Sequence, residues 1–187
     1  MRTFRFPGLA AAALLLALGT ASAGDDDAAR GADTWQDARE ALELKTVGTT
    51  RLRWLMFRVY DAALWTPTGR FDGLESREVK ALEIEYLRSI SAERILDITR
   101  DEWVRLGIGD DESRERWLEQ LADIIPDVRD GSRLTAVAFP DGYTRFFDGD
   151  GLIGEVDEPD FGRHFLAIWL HEDTREASMR RELIGES

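Results

Sequence analysis

The sequence predicts a single α+β domain, an antiparallel sheet with a layer of helices gathered on one of its faces. Three observations point there. Segments rich in β-branched and aromatic residues come first, then two segments of helical periodicity, then three short strands, then helical sequence again; this grouping differs from the strict alternation of βαβ units. The separators Pro140-Asp141-Gly142 and Asp148-Gly149-Asp150-Gly151 have the composition of tight turns between antiparallel neighbours. No internal repeat or interdomain linker divides the 187 residues, and a chain of this size can bury roughly 70% of the surface it exposes when unfolded.

The chain opens with Arg2 and Arg5, the apolar run Leu9 to Leu18, and then Thr20, Ala21, Ser22 and Ala23. That order is a secretory signal's, with small side chains at Ala21 and Ala23 for the peptidase, and the run is shorter than the ~20 residues a bilayer span requires. Residues 1–23 are expected to be a signal peptide cleaved after Ala23, residues 24–34 a disordered leader, and residues 35–187 the folded domain. The protein is then expected to be periplasmic or secreted. With no cysteine there is no lipoprotein attachment, no disulfide and no thiolate metal site.

Trp35 to Glu43 fits a short helix, but Leu42, Leu44 and Thr46 alternate, and a strand from about Ala41 to Val47 is the expectation. Gly48, Thr49 and Thr50 read as a turn into one long strand, Arg51 to Trp65, apolar on both faces and therefore central. A second strand, Ala81 to Leu87, turns Leu82, Ile84 and Tyr86 one way and Glu83 and Glu85 the other. Ser91 is an N-cap for a helix ending near Gly107, and Asp111 to Ile124 forms the next, stopped by Pro126. Strands at Arg133–Phe139, Tyr143–Phe147 and Leu152–Val156 follow, and helices at Pro159–Leu170 and Thr174–Leu183 close the chain.

Without residues 1–23 the chain carries 22 basic against 37 acidic residues, a net charge of −15. A field of that sign repels nucleic acid and anionic surfaces unless a local basic patch overrides it, and no basic run is present. His164 and His171, seven residues apart, cannot share a zinc ion, so no metal and no cofactor are expected. The Asp148 to Gly151 segment lacks the ligand spacing of a calcium loop and reads as a turn. Glu83 and Glu85 share a strand face as solvated carboxylates. No nucleophile motif, phosphate loop or dinucleotide fingerprint occurs. The suggestive charges are Arg51, Arg53 and Arg58, which interrupt the apolar stretch Trp54-Leu55-Met56-Phe57 and Val59. An arginine reaching into an apolar pocket needs an anion: either a ligand's carboxylate or phenolate, or Glu83 or Glu85 across the sheet.

Gly48, the phrase Phe57-Arg-Val-Tyr-Asp-Ala-Ala-Leu-Trp65, Leu82-Glu-Ile-Glu-Tyr-Leu-Arg-Ser-Ile-Ser-Ala-Glu-Arg94, Ile125-Pro-Asp-Val128, Phe161 to Leu170 and Arg180-Arg-Glu-Leu-Ile-Gly185 together resemble the chalcone isomerase-like proteins exported by bacteria. The resemblance covers nearly all of the chain after the signal. It implies a large antiparallel sheet under a helical layer, with a hydrophobic cleft between them. In plant chalcone isomerases the cleft closes a flavanone ring; in related plant proteins it holds a fatty acid by arginine and tyrosine. The strand arginine falls on Arg51 or Arg53. Ser91 stands in the place of the enzyme's tyrosine, Ile98 in that of its asparagine, and Ala167 in that of its serine or threonine, which removes groups that would position a phenolate. The leading expectation is a protein that binds a small, apolar, anionic molecule such as a fatty acid, with Arg51, Arg53, Tyr60, Tyr86, Phe165 and Trp169 at the ligand. The alternatives are an isomerase (intramolecular lyase) acting on another substrate, and a non-catalytic interaction domain.

Overall fold

The computed structural model describes residues 23–54, 56–149 and 151–186; the expected signal peptide lies, but for Ala23, outside the described residues. Six strands form one antiparallel meander in the order β1 to β6: Lys45–Trp54, Phe57–Thr66, Lys80–Tyr86, Arg133–Ala138, Tyr143–Phe147 and Leu152–Asp157. Helices α1 (Ala23–Arg30) and α2 (Trp35–Ala41) precede the sheet. Helices α3 (Ala92–Leu106) and α4 (Asp111–Ile124) connect β3 to β4, and α5 (Phe161–Leu170) and α6 (Ala177–Leu183) follow β6.

The strand alternation sorts the core into two clusters. Ala62, Leu64, Leu82, Ile84, Tyr86, Leu134, Ala136 and Phe146 face the layer of α3, α4, α5 and α6. Ala81, Val137 and Phe147 face the other way, packing with Ala29, Ala32, Ala38 and Leu42 of the α1–α2 region. The main helical layer thus lies on one face as expected, and the two short N-terminal helices add a partial cover to the other.

Two expectations are corrected here. Residues 24–34 are not a disordered leader: α1 is seated on the sheet, with Ala29 fully buried and Ala32 nearly so. The segment has little apolar surface of its own, but the sheet supplies it, and Arg145 of β5, 3% exposed, donates from Nη1 to the carbonyls of Ala29 (2.7 Å) and Ala32 (2.8 Å). Thr34 then caps α2 by accepting from Asp37 N, so residues 35–41 are helical and the strand begins at Lys45 and not at about Ala41.

The second correction concerns residues 45–66: in place of strands at about Ala41–Val47 and Arg51–Trp65 joined by a turn at Gly48–Thr50, β1 runs through Gly48 to Trp54 and the expected long strand is broken ahead of Phe57. Lys45 pairs with Thr66 and Trp54 with Phe57, so the chain reverses between Trp54 and Phe57 and Gly48 lies within a strand. Glycine is required there by close approach. A Cβ at Gly48 would sit 2.1 Å from the Glu182 carbonyl oxygen of α6 and 2.6 Å from that of Leu183. The turn itself, in Trp54-Leu55-Met56-Phe57, contains none of the residues that mark turns in a sequence.

The two long helices end where the residues dictate. Ser91 Oγ accepts from Arg94 N, and Gly107 closes α3 in the left-handed conformation at φ 67°. Asp110 caps α4 by accepting from Ser113 N at 2.8 Å.

Candidate ligand-binding site

Between the sheet and its main helical layer lies a cavity of about 670 Å³, within the range of roughly 300–1,000 Å³ typical of small-molecule sites. Its sheet wall is Leu82, Ile84, Leu134, Ala136 and Phe146; its helical wall is Ile95, Leu121, Ile125, Phe165 and Ile168. The space exists because bulky side chains hold the helices off the sheet. Trp103, Trp117, Phe146, Phe161 and Phe165 form a chain of ring contacts with centroids 5.3–6.4 Å apart. Trp103 Nε1 donates to the His164 carbonyl (2.9 Å), locking α3 to α5.

Within this wall two phenols stand side by side. Tyr60 and Tyr86 are direct cross-strand partners on β2 and β3, with ring centroids 6.2 Å apart in an edge-on arrangement. The Tyr60 hydroxyl accepts from Trp169 Nε1 at 2.9 Å, which fixes α5 against β2 and leaves the phenolic proton to donate elsewhere. Burial raises the Tyr60 pKa to about 12, with the neighbouring Glu176 and Glu102 adding to the rise and the Trp169 hydrogen bond opposing it. Burial likewise pushes Tyr86 well above the ordinary phenol range. Both rings are therefore neutral donors at physiological pH. The Tyr86 side chain, 6% exposed, has no hydrogen-bond partner among the described residues and lines the cavity.

Polar residues gather at the mouth, where β3 passes into α3. Arg53, Arg88, Ser89, Ser91 and Arg94 line it, and Arg53, Arg88 and Arg94 are exposed and make no ion pair among the described residues. The N-terminus of α3 is already satisfied, since Asp127 Oδ1 accepts from Ala92 N (2.8 Å) and Ser91 Oγ from Arg94 N. A bridge between Ile90 and Val128 ties this corner down. An anion at the mouth would thus be met by guanidinium groups and not by helix-end amides.

The carboxylates of the cavity wall are Glu102 and Glu176. Glu102, 8% exposed, accepts from Arg105 Nε (2.9 Å) and Nη2 (2.7 Å) and also pairs with Arg175, clamping α3 to the segment between α5 and α6. Thr99 donates its hydroxyl to the Ile95 carbonyl at 2.9 Å. Glu102 and Thr99 are thus committed to structure, whereas Glu176 is exposed and forms no ion pair among the described residues.

Of the residues read from sequence, Arg53, Tyr60, Tyr86, Phe165 and Trp169 come together around the cavity. Arg51 does not. It lies on the opposite side of the sheet, where Nε and Nη2 donate to both oxygens of Asp61, its cross-strand partner, so neither a ligand nor Glu83 or Glu85 is its counter-ion. This pairing raises the Arg51 pKa and holds the Asp61 carboxyl below its usual range. Glu85 pairs instead with Arg133. The alternation of a strand separates Arg51 from Leu52, and a register shift at Leu52/Arg53 lets Arg53 border both the cavity and the groove on the far face. Ser91 and Ile98, at positions where the plant enzymes carry polar groups, do line the cavity, whereas Ala167 is buried outside it.

Arg88, Arg94, Thr99 and Glu102 escaped the sequence reading. One signal was available: Arg94 lies in the first turn of α3, where a cation opposes the helix dipole and calls for a reason other than helix stability. Arg88, in the short link between strand and helix, carried none.

Comparison with known proteins supports the same fold. A search of curated proteins gives no match. Among solved structures, a fatty-acid binding protein of Arabidopsis thaliana matches with a TM-score of 0.58 at 11% identity, covering 76% of this chain and 87% of that one, a likeness of fold alone. The family model described as chalcone isomerase-like matches residues 27–185, from within α1 to just past α6, and on that match the chain belongs to the chalcone isomerase-like family.

Proposed function

We propose that this protein binds a small amphipathic molecule of the fatty-acid class, an apolar chain with an anionic head, outside the cytoplasm. The observation that carries the reading is the cavity itself: an apolar interior of about 670 Å³ whose mouth holds three arginines that form no ion pair, and whose wall presents a phenol with no hydrogen-bond partner, among the described residues. The chain of the ligand would replace water against Leu82, Ile84, Leu121, Phe146 and Phe165, at roughly 25 cal/mol per Å² of apolar surface covered. Its head would be met by Arg53, Arg88 or Arg94, with Tyr86 as a neutral hydrogen-bond donor. That a plant protein of the same fold is a fatty-acid binding protein supports this class. The extracytoplasmic location rests on the sequence of residues 1–23.

Binding and not turnover is the reading because Glu102, the buried carboxylate of the cavity wall, serves structure. Glu102 is held by Arg105 and Arg175 and both tyrosines stay protonated, which leaves the exposed Glu176 as the one lining carboxylate outside an ion pair among the described residues. Native mass spectrometry of protein purified from the exported fraction tests the proposal. The expected result is a co-purifying or added long-chain carboxylate at one per chain, on a polypeptide beginning at Gly24. Protein that takes up no carboxylate of any chain length would refute the ligand class, and an intact N-terminus in the exported fraction would refute the processing.

A further inference from the structure

We propose that the tip of the β1–β2 hairpin is a docking element for an anionic membrane surface, where the cavity takes up or releases its ligand. Met56 is 93% exposed and Phe57 61%, the two most exposed large apolar side chains among the described residues, and they are adjacent at the tip. Single exposed apolar side chains are ordinary; two together on a projecting turn, with charge arranged around them, are not.

The charge is the second observation. Arg53 and Arg58 are direct cross-strand partners flanking the tip, a like-charge pairing that costs stability when nothing neutralises it. Neither has a carboxylate partner among the described residues. The acid whose carboxyl both help to hold ionised, Asp61, is taken by Arg51 through two hydrogen bonds. Arg88 belongs to the same corner, one residue beyond the bond from Leu87 N to the Val59 carbonyl. Residues 51–58 contain three arginines and no acid, in a chain of net charge −13. An anionic surface would therefore be repelled by most of the molecule and attracted here, which orients it.

Continuity with the cavity is the third. Leu52, Arg53 and Val59, on either side of the tip, are themselves cavity-lining residues, so a surface met by Met56 and Phe57 lies next to the mouth. Apolar side chains flanked by arginine partition into the boundary between lipid headgroups and acyl chains, the guanidinium groups meeting phosphates. A second copy of the chain is a poor occupant, because a two-fold contact at this tip would set one cluster of arginines against another.

The cargo in this inference rests on the ligand reading above; the docking does not, and flotation and ligand uptake separate the two. The processed chain from the exported fraction is floated with vesicles of phosphatidylglycerol and phosphatidylethanolamine, and in parallel with vesicles of phosphatidylcholine. Flotation is expected with the first and not the second, and is lost at high salt. Met56→Ser/Phe57→Ser should weaken it by about tenfold or more, and Arg58→Glu by roughly fivefold to tenfold. Palmitate uptake by native mass spectrometry serves as the control for folding, since none of these three residues lines the cavity, and it should be unchanged. Wild-type protein that does not float, or a Met56→Ser/Phe57→Ser variant that floats as wild type, would overturn the docking role. So would a tip variant that converts a dimer to a monomer, which would assign the tip to a contact between copies. Protein that floats but takes up no palmitate keeps the docking element and removes the cargo.

Discussion

Under α1 and α2, Arg145 is buried with each contact accounted for: two backbone carbonyls, the Glu155 carboxylate at 2.8 Å and the ring of Phe147. Across the sheet, around the cavity under α3 and α5, Arg53, Arg88 and Arg94 form no ion pair among the described residues. The same side chain is saturated on one face and left open on the other. Helix composition accounts for the difference. Ala29, Ala32 and Ala38 let backbone settle close to the sheet, so carbonyls come within reach of a guanidinium. Trp103, Trp117, Phe161 and Phe165 stand their helices off, which leaves room for something other than protein. One face is built for stability and the other holds space at the expense of packing.

The sharpest way to break that contrast is at the seam where α6 meets β1. Gly48→Val should drive α6 off the sheet edge, costing about 3 kcal/mol or more in denaturant unfolding, because the displaced atoms are backbone and cannot swing aside. Next in size, Arg145→Leu should lower stability by about 2–3 kcal/mol, with hydrogen exchange in α1 rising most and palmitate binding intact. The open face should respond in the opposite sense. Ala136→Phe projects a ring into the cavity and should cut palmitate affinity by about tenfold or more with little loss of stability, since it fills space that is already empty. Among the arginines, Arg53→Gln should weaken palmitate binding by roughly fivefold while Arg51→Gln leaves it unchanged.

The smallest effect is one of pH. Burial, with Arg163 adding, lowers the His164 pKa, and its Nδ1 is buried without a partner. The unfolded chain therefore takes up this proton at higher pH than the folded one. Stability should fall as pH drops below the ordinary imidazole value of about 6.5, and His164→Gln should flatten that part of the profile in urea titrations.

How much was legible follows from which signals are local. Ser91 and Gly107 mark the ends of α3, and the period-two pattern of residues 81–87 places Leu82, Ile84 and Tyr86 on the core side; the structure agrees in each case. Tyr60, Phe165 and Trp169 were readable as cleft residues because they are bulky and lie on elements expected to face one another. The hairpin of residues 45–66 was hidden, its turn lacking glycine, proline and asparagine, while its one conspicuous glycine serves packing against α6. The ordered state of α1 was hidden too, because its stability comes from Arg145, more than a hundred residues away.

The sequence alone determines the class of fold, the caps, the periodicities and a pattern of residues specific to one family, since each depends on neighbours along the chain. Which arginine faces a ligand is decided by tertiary structure. Arg51 and Arg53 are alike in type and two residues apart, and only the pairing of β1 with β2 commits the first to Asp61 and leaves the second free at the cavity mouth. Strand register and the stand-off of the helices are properties of contacts between distant segments, and such contacts leave no mark on the order of residues within either one.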